Sequence, residues 1–354
     1  MVSEATEPTL TTRAWVRLVG SLGLFVAACR PPAAARPEAP VVDDPFADLP
    51  YASGPLPAAV KVFLVAGGDD VANFAADVIE QRTLWAQAGL RADEIACYYA
   101  KPSPQALLED GEQLAALAPL LRDCYAAEPA TLHAHLRQAA GRAPPYLYLF
   151  VSGHGLPPLL RWHAGVQDVR DLPARMHLRQ GEVARFDRHA IGLEGGPAPG
   201  LGQVERMLET HRAGAPVESL VFTPDTLAAA LAPLPEASPL IVVLQACFSG
   251  GFIGSEDDGP SALVRRPRTT VLTAATPDRP SFGCSPGAQH TYYGGALGRV
   301  LARMLEDQPR SPEAMPWAEI HGEVRFIVET IEHIDGERPS QPQLHDGSAG
   351  PIDL

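Results

Sequence analysis

Two residues of this chain have the chemistry of a covalent catalyst and sit in surroundings that suit it. His154 lies in Ser152-Gly153-His154-Gly155, and Cys247 in Gln245-Ala246-Cys247-Phe248-Ser249-Gly250-Gly251. Each block follows an apolar run, so each reads as a polar side chain displayed on a tight turn at the end of a buried strand. An imidazole beside a thiol lowers the thiol's pKa, pairs with the thiolate and can protonate a leaving amine. The flanking glycines let backbone N–H groups approach a tetrahedral oxyanion. By themselves one His and one Cys mean little, and a structural Cys at a strand end is the ordinary reading.

The elements that must position them alternate along the chain. Short apolar runs at 61–66, 94–99, 146–151, 240–244 and 270–273 predict buried strands. Helices are predicted over 71–88, 105–125, 131–140, 225–231 and 293–305, with Asp69 or Asp70 as a cap for the first. This alternation predicts an α/β sandwich with a mostly parallel sheet, whose ligands bind at the carboxyl ends of the strands. The two blocks lie at the ends of the third and fourth strands.

With 354 residues, 46% of them hydrophobic and 20% charged, the chain has ample apolar material for a core. Lysine occurs only as Lys61 and Lys101, and the net charge of −14 leaves no basic stripe, which argues against a nucleic-acid partner. Leu18 to Ala28 is an uncharged run of eleven residues preceded by Arg13 and Arg17. It is too short for a membrane span, which needs about 20. It fits the apolar region of a signal peptide. Val26-Ala27-Ala28-Cys29 resembles the lipobox of bacterial lipoproteins, which implies cleavage after residue 28 and a lipid on Cys29. Export and anchoring to a bacterial membrane are expected, with the outer membrane preferred because Arg30 is not the acidic residue associated with inner-membrane retention. Residues 29–57 are Pro- and Ala-rich and predict a tether. The folded domain is expected over 58–334, with a Pro/Gly-rich tail over 335–354.

The strand-Ser-Gly-His-Gly and strand-Gln-Ala-Cys-Phe-Ser-Gly-Gly blocks resemble the paired His and Cys blocks of the caspase–legumain clan of cysteine peptidases. The run from Leu272 to Ser285, followed by Thr291-Tyr292-Tyr293-Gly294, is similar to the third block of bacterial legumain-family members. Pro339-Ser340-Gln341-Pro342-Gln343 resembles their closing motif. The resemblance implies a caspase-like three-layer α/β/α sandwich. It implies Cys247 as nucleophile, His154 as its partner, and the backbone N–H groups of Gly155 and Cys247 as oxyanion hole. Gln245, two before the nucleophile, would line the P1 pocket where legumain has a carboxylate. That departure puts an asparagine preference in doubt. Asp278 and Arg279 are the next candidates for substrate contact, with a surface ion pair as the alternative. Asp69 matches a position that often contributes to the site in this clan, and helix capping explains it equally well. The implied activity is a cysteine endopeptidase acting on protein or peptide through a thioester. The competing readings are a catalytically silent binding or scaffold lipoprotein and a thiol esterase or amidase on small acyl substrates.

No cofactor is expected. His133 and His135 are two apart on a helix and face different ways, so a zinc site is not predicted. A Gly-x-Ser-x-Gly elbow at Ser249 fails because position 247 is Cys. Once Cys29 and Cys247 are assigned, Cys97, Cys124 and Cys284 remain, and Cys97–Cys124 is the disulfide to test. Cys284 could lie near the site but is not read as a second nucleophile. The stretch 156–217 shows no clean periodicity and is expected to be an insertion beside the substrate groove.

Overall fold

Five strands buried on both faces organise the chain: β1 (Val62–Ala66), β2 (Ile95–Tyr99), β4 (Leu147–Ser152), β7 (Leu240–Gln245) and β10 (Thr269–Thr273). In this computed structural model, residues 44–158, 179–193 and 201–347 are described. They fall within one unit of the chain, Val42–Leu354. The lipobox and Cys29 lie outside the described residues, as does the end of the tail. Two short strands, β3 (Tyr125–Ala126) and β11 (Gln343–Asp346), complete a seven-stranded sheet of order β11-β10-β7-β4-β1-β2-β3. Every pairing in it is parallel except β10 with β11.

Helices cover both faces. On one, α1 (Asn73–Gln87), α7 (Tyr292–Asp307) and α8 (Trp317–Asp335) pack over Leu64, Tyr148, Phe150, Val243 and Leu272. On the other, α3 (Pro129–Gly141) and α6 (Pro224–Leu231) pack over Phe63, Val65, Leu149, Val242 and Leu244. Alternate residues of one strand thus enter opposite cores, which is why these strands read as continuous apolar runs. The expected three-layer α/β/α arrangement with a mostly parallel sheet is present.

Local chemistry sets the helix ends. Ser103 caps α2 (Pro104–Leu117) by accepting from the Ala106 N–H at 3.2 Å, and Pro104 needs no partner at the first position. Thr291 caps α7 through the Gly294 N–H at 2.9 Å. Gly336 ends α8 in the left-handed conformation, with φ of 75°. The first helix differs from expectation: neither Asp69 nor Asp70 caps it. The cap position is Ala72, and its N–H donates to Asp110 at 3.1 Å.

The expected tether and tail are shorter than their composition suggests. From residue 44 onward the chain belongs to the fold: Phe46 is 1% exposed and packs against Tyr99, and the Ala52 N–H donates to Cys124 O. At the other end β11 lies inside the supposed tail and adds the antiparallel edge strand. Composition sees Pro and Gly there, but backbone pairing uses no particular side chains. Described parts of the 156–217 stretch are also built in. β6 (Ala190–Ile191) pairs with β5 (Gly155–Leu156), and α4 (Gln180–Phe186) and α5 (Leu201–Arg212) flank it, while β8 (Gly254–Ser255) and β9 (Gly259–Pro260) pair with each other after β7. Cys97 and Cys124 form a disulfide that ties β2 to the segment before β3.

Phe46→Ala tests whether residues 44–57 belong to the core. The expected loss is about 3 kcal/mol, the usual cost of emptying a buried aromatic site. It would be read from the urea midpoint at unchanged slope. A midpoint within error of the parent would return this segment to the tether.

Candidate active site

Chain order builds the site. From β1 the sheet grows through β2 and β3 to one side, then restarts on the other side with β4, β7 and β10. The β1–β4 boundary is therefore a topological switch point, where the loops leaving the carboxyl ends diverge and leave a crevice. β1 runs into Gly67-Gly68-Asp69-Asp70, β4 into Gly153-His154-Gly155 and β7 into Ala246-Cys247. The backbone ladder continues past the strand ends, with Gly67 N–H on Ser152 O at 2.8 Å and Gly153 N–H on Gln245 O at 3.0 Å. The three polar loops therefore leave the sheet in register.

Gly155 meets Cys247 directly. A side-chain carbon on Gly155 would stand 1.6 Å from the Cys247 carbonyl oxygen and 2.9 Å from its nitrogen, so this position accepts glycine alone. Gly192 N–H donates to His154 O at 2.8 Å, which makes residues 154 and 192 a hydrogen-bonded pair of the β5–β6 ladder. The next pair, Gly155 with Ile191, is then of the other type, and the Gly155 N–H points away from β6.

His154 is held at one nitrogen. Its Nε2 lies 2.7 and 2.8 Å from the two carboxylate oxygens of Asp70. A carboxylate only accepts, so Nε2 carries the proton and Nδ1 is the basic nitrogen of the neutral ring. The ring packs edge-on against Phe74, and Gly68 leaves room beside its Cδ2. Burial disfavours the imidazolium, but the Asp70 hydrogen bond and charge, with Cys247 and Asp69 behind them, outweigh it and raise the His154 pKa.

The Cys247 thiol is held from the opposite side. Ser281 N–H points at Sγ from 3.3 Å, Ser281 Oγ lies at 3.9 Å, and the carbonyl of Ser281 accepts at 3.4 Å. A hydrogen bond from the Cys284 thiol, the two Ser281 donors and the His154 charge overcome burial and bring the Cys247 pKa down to about 6. Cys284 itself is pushed up by that shared bond and by burial. No hydrogen bond joins Cys247 to His154 among the described residues, a common condition before substrate arrives. After Cys247 the chain turns sharply. Phe248 is left-handed, with φ of 57°, and its N–H is held by Arg279 O at 2.8 Å.

The remaining predicted residues occupy different places. Gln245 is fully buried, with its Oε1 accepting from Ser152 Oγ at 3.3 Å. Ser152 also donates to Asp77, a buried carboxylate that binds Thr291 and His290. Gln245 thus sits in a polar network inside the fold. Arg279 Nη1 donates to Pro339 O at 2.7 Å, and its side chain lies 4.0 Å from Asp278. Asp278 is well exposed, 3.6 Å from Arg338, and lines a groove of about 1280 Å³. His189, Pro277, Gln343 and His345 also line that groove, whereas Cys247 and His154 do not. Asp69 makes no hydrogen bond to His154. One of its carboxylate oxygens is buried without a partner among the described residues. The imidazole contact belongs to its neighbour Asp70, which sequence reasoning weighed only as a helix cap. Two adjacent aspartates after a strand gave no signal for choosing between them.

Residues 213–345 match the model of the Peptidase C13 family. Over that segment the chain is similar to the cysteine peptidases of this family. The matched segment contains Cys247, Ser281 and Cys284, and it begins after His154. No curated protein matches the chain. Among solved structures, a crystal structure of caspase-1 from Spodoptera frugiperda is similar over 84% of this chain and 90% of its own, at 10% identity and a TM-score of 0.41.

Iodoacetamide alkylation of Cys247 is expected to rise through about pH 6 and to fall away below it, because the thiolate is the reactive form. Asp70→Asn removes the charge that supports the imidazolium. It should lower the His154 pKa by about one unit or more, read from the imidazole proton resonances. Asp69→Asn should move it much less. Equal shifts from both variants would remove Asp70 from its special position.

Proposed function

We propose that this protein is a cysteine peptidase that cleaves peptide bonds with Cys247 as nucleophile and His154 as its proton carrier. The observation that carries the reading is the contact of Gly155 with the Cys247 backbone, which brings the two catalytic turns together. Nδ1 of His154 takes the thiol proton, leaving a thiolate beside an imidazolium that Asp70 supports from Nε2. The thiolate attacks the substrate carbonyl carbon. The N–H groups of Gly155 and Cys247 receive the negative oxygen of the tetrahedral intermediate. The C–N bond then breaks, the imidazolium proton passes to the departing amine, and a thioester remains on Cys247. Water, deprotonated by His154, attacks the thioester, releases the acid and restores the thiol. An incoming amine in place of water would give ligation.

Substrates are proteins or peptides, as for the family. Asp278, beside the wide groove, remains a candidate for shaping the subsites, whereas Gln245, buried within the fold, supports the site from beneath Cys247. Anchoring through a lipid on Cys29 in an exported protein is part of this reading. The Cys97–Cys124 disulfide supports it, since such bonds persist in oxidising compartments.

The purified chain, held in detergent, should cut members of a diverse peptide library, with cleavage sites read by mass spectrometry. Cleavage should vanish in Cys247→Ala, and the residue enriched before the cut defines the P1 preference. Turnover of small acyl esters with no peptide cleavage would favour the esterase reading. An inert parent would favour a scaffold.

A further inference from the structure

One carboxylate touches both loops that serve His154 and Cys247. Asp110 lies in the middle of α2 and is 6% exposed. Among the described residues its hydrogen bonds both go to backbone: Oδ2 accepts from Ala72 N–H at 3.1 Å, and Oδ1 from Gly287 N–H at 2.6 Å. Ala72 closes the loop that begins at Gly67 and carries Asp70 to the His154 imidazole. Phe74, two residues on, packs edge-on against the same ring. Gly287 belongs to the loop after β10, which places Ser281 N–H on the Cys247 sulfur. α2 meets each loop a second time, through Ser103 N–H on Asp69 O at 2.7 Å and Gln113 Nε2 on Gln289 O at 3.1 Å. Asn73, at the start of α1, adds a bond to Gly283 O at 2.6 Å. The regular geometry of α2 is interrupted at Asp110, with φ of −122° and ψ of 20°, the very residue that makes both contacts. Burying a carboxylate is costly unless its oxygens are satisfied, and here both are.

We propose that Asp110 is a positioning residue of the active site, clamping the loop that supports His154 to the loop that supports Cys247. The inference rests on these two residues acting together as nucleophile and proton carrier. Asp110 acts on them only through two backbone amides. While both amides are held, Ser281 N–H stays 3.3 Å from Sγ and Asp70 stays on Nε2, so the donor for the thiolate and the counter-charge for the imidazolium are fixed relative to each other. A carboxylate suits this task because it offers two acceptors in one plane; an amide keeps one oxygen and turns an NH2 group toward the other donor. The charge of Asp110 and its clamp pull the thiol in opposite directions. A nearby negative charge disfavours a thiolate, so removing the charge alone would lower the Cys247 pKa. Releasing the clamp lets Ser281 leave the sulfur, and a thiolate that loses a donor has its pKa raised. The sign of the change therefore separates positioning from plain electrostatics.

The test compares the full chain with Asp110→Asn. The pH midpoint of Cys247 alkylation by iodoacetamide should move up from about 6 by about half a unit or more. Peptide cleavage should lose about tenfold in kcat with KM little changed, because the dyad is misaligned and no substrate contact is removed. Gln113→Ala frees only the outer end of the same loop and should leave both quantities at the parent's values. A midpoint in Asp110→Asn that stays put or falls would overturn the proposal, as would an equal rise in Gln113→Ala. Hydrogen exchange in the parent decides the matter if Asp110→Asn does not fold. The Ala72 and Gly287 amides should exchange about tenfold or more slowly than unstructured amides, and free exchange at either one would overturn the clamp. Alkylation and cleavage fail separately. A raised midpoint without Cys247-dependent cleavage in the parent removes the peptidase reading and leaves the clamp standing. Cleavage with an unmoved midpoint removes the clamp and leaves the peptidase reading intact.

Discussion

The approach of Gly155 to Cys247 constrains everything around it. Two parallel strands deliver their carboxyl ends side by side, but pairing alone leaves the loops free to diverge. Here the backbone of one loop rests on the backbone of the other, closer than any side chain permits. That contact fixes one loop against the other without using a rotatable side chain. The surrounding glycines serve the same end: at Gly67 a side-chain carbon would stand 2.2 Å from Gly192 O, where the 156–217 stretch returns to the sheet.

Electrostatics follows from that geometry. A buried thiolate and imidazolium are costly singly and tolerable as a pair, provided each has other partners. Asp70 serves the imidazole, and Ser281 and Cys284 serve the sulfur. Beneath them lies another buried carboxylate, Asp77. Burial raises its pKa against the pull of His290, Thr291 and Ser152. Gly294 makes room for it, since a side-chain carbon there would collide with the carboxylate at 2.3 Å. Asp77 thereby ties α1, α7 and the end of β4 together, and Gln245 is drawn into the same network through Ser152.

What could be read from sequence followed physical visibility. The central strands are buried on both faces, so they appear as unbroken apolar runs, and each expected range lies within about two residues of the observed one. The thiol and imidazole were legible because glycines isolate them after such runs. β11 was not: Gln-Leu-His-Asp is half-exposed and has neither alternation nor β-branched residues, and it pairs by backbone alone. Phe46 was hidden by the prolines around it, although one buried aromatic is enough to fasten a segment to a core. Asp70 required knowledge of which way the loop turns after Gly68, a residue with φ of 90°.

The C-terminal segment shows why composition undervalued a part of the site. Glu332, buried on α8, accepts from the Ser340 N–H at 3.0 Å. Ser340 O accepts from Thr276 N–H, and Pro339 O accepts from Arg279. Arg279 O in turn holds the Phe248 N–H, one residue beyond Cys247. A hydrogen-bonded path therefore runs from a helix on the far side of the loop to the strained turn that displays the thiol. A left-handed Phe248 persists only where neighbours over-determine it. The closing motif provides part of that determination: Arg279 is held in place by a carbonyl of the supposed tail. On this account Arg279 matters to the site through its backbone. Its guanidinium is the tether that keeps that carbonyl aimed at Phe248, and a role in gripping substrate is not required to explain its position.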